Sequence, residues 1–144
     1  MVNISPAKTY ETSAIRKLEK QVSKEKDLQG KYEYGYLNKF TYVFVAKEKN
    51  KIIGAILAIK TAKEEIYVEE VIIHPAWKHQ GIGKRLYETL FAACGNILIF
   101  ALVDGTNEAS LTLHKELGFK GVRQMKDSLG VEQTHFLMKR EKKG

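Results

Sequence analysis

The residues Val71-Ile72-Ile73-His74-Pro75-Ala76-Trp77-Lys78-His79-Gln80-Gly81-Ile82-Gly83-Lys84-Arg85 form the stretch in which this chain's residue types converge on a chemistry. An apolar strand runs into a short turn, and a pair of glycines then opens a helix. Free backbone N–H groups therefore collect where a phosphate can dock. Such main-chain donors contribute roughly 0.3–1 kcal/mol per anionic charge when exposed, and more when enclosed. Glycine at 81 and 83 lets an anion approach without a Cβ in the way. Two carboxylates, Glu69 and Glu70, stand just before the apolar segment. Strand alternation predicts that Glu69 shares a face with Val71 and Ile73; a solvated edge charge is the plainer alternative, since Glu64 and Glu65 lie close by.

A second constellation is Asn107-Glu108-Ala109-Ser110-Leu111-Thr112-Leu113-His114-Lys115-Glu116-Leu117-Gly118-Phe119. Leu111, Leu113 and Leu117 predict a helix with Asn107 as its N-cap, and Gly118 is its natural left-handed stop. Gly118-Phe119 speaks for fold rather than mechanism.

The elements that must position these residues follow from periodicity. Ser5-Pro6 predicts a helix start, with Ala14, Ile15, Leu18 and Val22 recurring at helical spacing. Residues 24–39 read as a short irregular helix and a loop, in which Tyr32, Tyr34 and Tyr36 alternate around Gly35. Residues 41–46 and 52–59 predict an antiparallel hairpin, and residues 66–73 the next strand. Residues 83–93 predict a helix, with Leu86, Leu90 and Ala93 on one face. Residues 97–103 read as a strand buried on both faces and, after a helical crossover, parallel to the one before. Residues 119–125 and 134–139 close the chain as a strand pair. The order is strand, two helices, three strands, helix, strand, helix, two strands.

In that order, and in both segments, the chain resembles the GCN5-related N-acetyltransferases. The family's pyrophosphate loop reads Arg or Gln, two residues, Gly, one residue, Gly or Ala, and falls on Lys78, Gly81 and Gly83; Lys78 keeps the charge but loses the planar fork. The family's closing signature falls on Asn107, Ser110, Leu113, Gly118 and Phe119, with His114 where most relatives carry tyrosine. Relatives that acetylate phosphinothricin and similar amino-acid analogues look like this chain at Ser110 and His114. The resemblance implies a single α/β (α+β) domain over residues 1–144: a central mixed, mostly antiparallel seven-stranded sheet flanked by about four helices. It implies an N-acetyltransferase that moves an acetyl group from acetyl-CoA to a primary amine of a small molecule or a protein by direct transfer, without a metal. A non-catalytic acyl-CoA-binding or protein-docking module of the same fold is the alternative.

By the same resemblance, pyrophosphate lies over His79, Gln80, Gly81, Ile82, Gly83 and Lys84. The backbone N–H groups of Val71, Ile72 and Ile73, on a strand splayed from its neighbour, meet pantetheine and the thioester oxygen. Asn107 touches the pantetheine arm, a role compatible with capping, and Ser110 belongs to the same cofactor set. Glu69 is the candidate base and Glu70 a candidate acceptor contact; the family's alternative acidic position on strand five holds Leu102. Tyr32 and Tyr34 fall in the segment that covers the acceptor, as pocket walls or as core. His114 is the candidate acid, or a residue that orients the cofactor. A donating His114 would give a bell-shaped rate profile, since only its charged form is competent.

With 144 residues, the chain is of the size that buries roughly 68–70% of its extended surface, enough for one core. Hydrophobic residues at 44% and charged residues at 28% indicate an ordinary globular protein. The apolar runs 52–59 and 97–103 are far shorter than the ~20 residues of a membrane span, and the start lacks a secretory apolar core. A cytoplasmic protein that binds no membrane is expected, and lone Cys94, which cannot form an internal disulfide, fits a reducing compartment. The net charge of +7 comes from 24 Lys and Arg against 17 acids spread along the chain. Such diffuse charge argues against a nucleic-acid module and suits an anionic cofactor. In the family that the chain resembles the last strands often pair between subunits, which leaves both a monomer and a homodimer open.

Overall fold

The computed structural model describes residues 1–22, 39–126, 129–130 and 132–143; Tyr32, Tyr34 and Tyr36 lie outside them. Its elements are β1 (Val2–Pro6), α1 (Thr12–Val22), β2 (Tyr42–Glu48), β3 (Lys51–Ala62), β4 (Glu65–Ile73), α2 (Ile82–Cys94), β5 (Leu98–Asp104), α3 (Glu108–Glu116), β6 (Lys120–Lys126) and β7 (Glu132–Arg140). The strands form one seven-stranded sheet in the order β1-β2-β3-β4-β5-β7-β6. Only β4 and β5 pair in parallel, as a helical crossover between them requires. Three α helices flank the sheet among the described residues, against the four or so expected. None is long and apolar enough to cross a membrane.

The chain start departs from the sequence reading. Ser5 and Pro6 end β1 rather than open a helix, and pair with Val45 and Phe44 at the sheet edge. Proline is tolerated there because an edge strand has ladder positions with no partner to lose. The helix begins later, at Thr12, behind a 3-10 turn over Thr9–Glu11. Glu11 fixes that turn: its carboxylate accepts from the Lys8 amide at 2.8 Å and pairs with Lys47 of β2 at 2.5 Å.

Apolar residues sort onto two sides of the sheet. Ile53, Ile56, Ile66, Val68, Ile99, Ala101 and Val103 pack with Leu86, Tyr87 and Leu90 of α2 and with Phe119. Val45, Ala55, Leu57 and Ile72 pack with Ile15 and Leu18 of α1. This is a helix-on-both-faces layering, and the central β3 is buried continuously from Ile52 to Ala58.

Two irregularities open the middle of the sheet. Leu57 of β3 faces Glu70 and Ala58 faces Val68, so Glu69 is an extra residue in β4, a β-bulge. A bulge bends its strand, and pairing of β4 with β5 stops at that level: only Glu65 to Val68 are in register with Leu98 to Ala101. Beyond it β5 pairs solely with β7.

β5 is parallel to β4 as expected but is not buried on both faces. Ile99, Ala101 and Val103 are buried, whereas Leu102 is 41% exposed on the other side. Alternation with one covered face explains this, despite the unbroken apolar run. Ile99→Ala is therefore expected to cost about 2–5 kcal/mol in urea denaturation, and Leu102→Ala well under half of that; equal losses would contradict the one-sided burial.

Candidate active site

A cleft of about 370 Å³ lies where β4 and β5 part, between the N-terminal ends of α2 and α3. Val71 and Ile73 form its floor, and the turn from Lys78 to Lys84 one wall. Asn107, Ser110, Leu113 and His114 of the α3 segment form the other.

The floor offers main-chain donors. The His74 amide donates to Ile53 of β3 at 2.7 Å, which fixes the parity of the ladder. In an antiparallel pair alternate residues point to the same neighbour, so the Ile72 amide also points to β3, while those of Val71 and Ile73 point towards the gap left by β5. Ile72 thus departs from the expected cofactor set: its amide serves the ladder and its side chain is buried under α1.

The turn is stiffened locally. His74 Nδ1 accepts from the Ala76 amide at 3.0 Å, closing a 3-10 turn over Pro75–Trp77. His79 and Gly81 both take left-handed φ values, 64° and 74°. Glycine adopts that freely, whereas for His79 it is an unusual conformation held by the surrounding loop. Gly81 caps α2 without any side-chain bond, so the first amides of the helix, at Ile82, Gly83 and Lys84, remain as donors beside the cleft. Gln80 is exposed and does not line it.

Gly83 has a packing reason for being glycine. A Cβ there would stand 3.2 Å from Leu113 Cδ2, so its absence lets α2 and α3 come close. Asn107 caps α3, its Oδ1 accepting from the Ser110 amide at 3.0 Å, and it also lines the cleft. Asn107 thus both caps α3 and borders the cleft.

His114 lies at the inner end of this wall. It is buried, its Nε2 lies 2.6 Å from the Tyr87 hydroxyl, and its Nδ1 lies 2.7 Å from the Ser110 carbonyl. Burial holds its pKa below the usual histidine value, against the opposing pull of the Ser110 carbonyl. Burial also raises the pKa of the Tyr87 hydroxyl. Tyr87 is a functional candidate that the sequence reading did not single out; the signal was that a core tyrosine needs a partner for its hydroxyl.

The two glutamates separate. The bulge removes the alternation that placed Glu69 beside Val71 and Ile73, and Glu69 is exposed. Glu70 turns to the α1 face, where it hydrogen-bonds Glu19. Burial first, then the hydrogen bond and charge of Glu19 and the charge of Glu69, push its carboxyl up to about 9, with Arg16 opposing.

That shift fixes a sign. Between about pH 4.5 and 9 the unfolded chain has released this proton while the folded chain keeps it, so stability falls as pH rises through the window. Glu70→Gln keeps the neutral shape and is expected to raise the melting temperature more at pH 8 than at pH 5. A larger gain at pH 5 would reverse the assignment.

Comparison with known proteins agrees with this architecture. The solved ribosomal-protein-S18-alanine N-acetyltransferase of Escherichia coli superimposes with a TM-score of 0.84 at 17% identity, over 100% of this chain and 96% of that one. The Salmonella typhimurium protein yncA, solved with its cofactor acetyl-CoA, gives 0.77 at 20% identity, over 100% and 95%. In sequence, an L-methionine sulfoximine/L-methionine sulfone acetyltransferase of Salmonella typhimurium is 36% identical over 70 residues. That match covers 46% of this chain and 40% of the relative, so it spans about two fifths of the relative's length. Residues 10–119, which run from before α1 to the end of the α3 wall, match the Acetyltransferase (GNAT) family, and the chain belongs to it.

Proposed function

We propose that this chain is an acetyl-CoA-dependent N-acetyltransferase acting on a primary amine of a small molecule or of a protein. The observation that carries the reading is the cleft with its uncapped α2 amides at one end and gap-facing β4 amides beside them, backed by a shifted carboxyl on the opposite face of the same strand. Further support comes from the acetyl-CoA bound to yncA and from the acetyltransferase name of the sequence relative.

In this reading the amides of Ile82, Gly83 and Lys84 hold the diphosphate, and Lys78 adds a cation at the mouth. The Val71 and Ile73 amides meet the negative charge that develops on the thioester oxygen as the amine attacks. Asn107 and Ser110 flank the pantetheine arm. The amine nitrogen forms the new bond to the acetyl carbon, the carbon–sulfur bond breaks, the amine proton passes to a carboxylate, and the sulfur takes its proton from water. The base is Glu70 rather than Glu69, because a general base works best with a pKa near the operating pH. Donor and acceptor then approach from opposite faces, the donor beside α2 and α3 and the acceptor beside α1.

The direct test follows thiol release with acetyl-CoA and a panel of amino acids, amino-acid analogues, polyamines and peptide N-termini. Turnover should rise with pH towards about 9 as Glu70 loses its proton. Glu70→Gln is expected to lower kcat about 10²-fold or more and flatten that rise, while Glu69→Gln stays within a few-fold. Coenzyme A binding without turnover on any amine would instead identify a binding module.

A further inference from the structure

Helices α2 and α3 touch at two levels one turn apart. At the outer level Gly83 sits against Leu113, and at the inner level Tyr87 meets His114. The inner contact fixes which atom carries which hydrogen. The Ser110 carbonyl can only accept, so Nδ1 of His114 bears the ring hydrogen, with the Ser110 hydroxyl 3.4 Å away as a lesser neighbour. Nε2 is then the lone-pair nitrogen, and the Tyr87 hydroxyl donates to it.

The surroundings keep that arrangement. Tyr87 is fully buried, and Phe119 stands edge-on to both rings, 5.6 Å from Tyr87 and 5.1 Å from His114. Burial is the larger influence on the charge of His114 and disfavours the imidazolium, with the Ser110 carbonyl opposing it. A second ring proton would occupy Nε2 and turn the hydrogen of the Tyr87 hydroxyl into apolar packing, where an unmet donor is costly. Both ring nitrogens are therefore spent inside the protein, although His114 borders the cleft.

We infer that Tyr87, which does not line the cleft, is a positioning residue: by donating to His114 it fixes a neutral Nδ1–H imidazole and the spacing of α2 and α3, so that His114 gives the cofactor an uncharged wall and no proton. The inference deepens the acetyltransferase reading and rests on it for the identity of the ligand.

Nitrogen-resolved NMR of histidine-labelled free protein tests the first half without any ligand. His114 should show the Nδ1–H tautomer and titrate below the ordinary histidine value, and in Tyr87→Phe it should gain mixed tautomers and take up a proton more easily. Calorimetry with coenzyme A tests the second half: Tyr87→Phe should weaken binding about five- to tenfold, with kcat nearly unchanged. A mere packing defect, as in Leu90→Ala, should lower the melting temperature and leave the tautomer alone. Should Tyr87→Phe not fold, the wild-type spectrum and the wild-type kcat profile still decide, since the profile should rise and level off without an alkaline fall. A His114 that titrates at or above the ordinary histidine value, an Nε2–H tautomer, a falling alkaline limb that tracks His114, or a Tyr87→Phe protein with altered tautomer and unaltered coenzyme A affinity would each overturn the inference. Failure of the wild type to bind coenzyme A at all would instead sink the proposed function, and with it the positioning role, while the tautomer result on the free protein stands apart.

Discussion

The structure turns on one interruption of hydrogen bonding. At Glu69 the β4 ladder gains an extra residue, and from that level onward β4 no longer pairs with β5. An open seam in the middle of a sheet leaves main-chain donors without partners, an arrangement folded proteins otherwise avoid. The rest of the fold makes the seam tolerable. The buried β3 holds one side of β4 along its length, β7 holds β5 from the other side, and α2 and α3 close over the gap. What remains is a cleft walled by the N-terminal ends of α2 and α3 and by the turn that leads into α2, which the His74–Ala76 bond stiffens.

The second constraint is how closely α2 and α3 approach. Gly83 removes the Cβ that would collide with Leu113, and the Tyr87–His114 bond ties the helices one turn deeper within a cluster of aromatic rings. The outer ends of the same helices carry the free amides of α2 and the capped start of α3. Packing and ligand geometry are therefore set by the same contacts, and Gly83 serves both: it packs against Leu113 and leaves its own amide at the cleft.

Charge is distributed in keeping with this division. The cleft side presents Lys78, Lys84 and helix-terminal amides, all favourable to an anion. The opposite face of β4 presents Glu70 beside Glu19, in the field of Arg16, where burial and like charge keep a carboxyl protonated well above its ordinary range. Two chemically different approaches thus meet across a single strand.

Much of this was legible in the residues. The strand, the glycine-bearing turn and the helix could be placed from 71 to 93 because apolar periodicity and glycine punctuation are local signals, and the Asn107 cap and Gly118 stop are equally local. The amide-bearing wall of the cleft followed from those, since helix N-termini carry their free amides wherever they occur. Other features were not legible because they depend on partners distant in sequence. Ser5-Pro6 became an edge strand through pairing with β2, and Leu102 became exposed because no described element covers that face of β5. The bulge moved Glu69 and Glu70 to surroundings that alternation alone misassigned. Tyr87 acquired its role only when α3 brought His114 to its hydroxyl. By itself the sequence determined most of the elements, their order and the glycine-bearing turn, since these arise from neighbours in the chain. The tertiary structure alone decided which carboxyl is shielded beside α1, which amides face the gap and which hydroxyl meets His114, since each is set by contact between segments far apart.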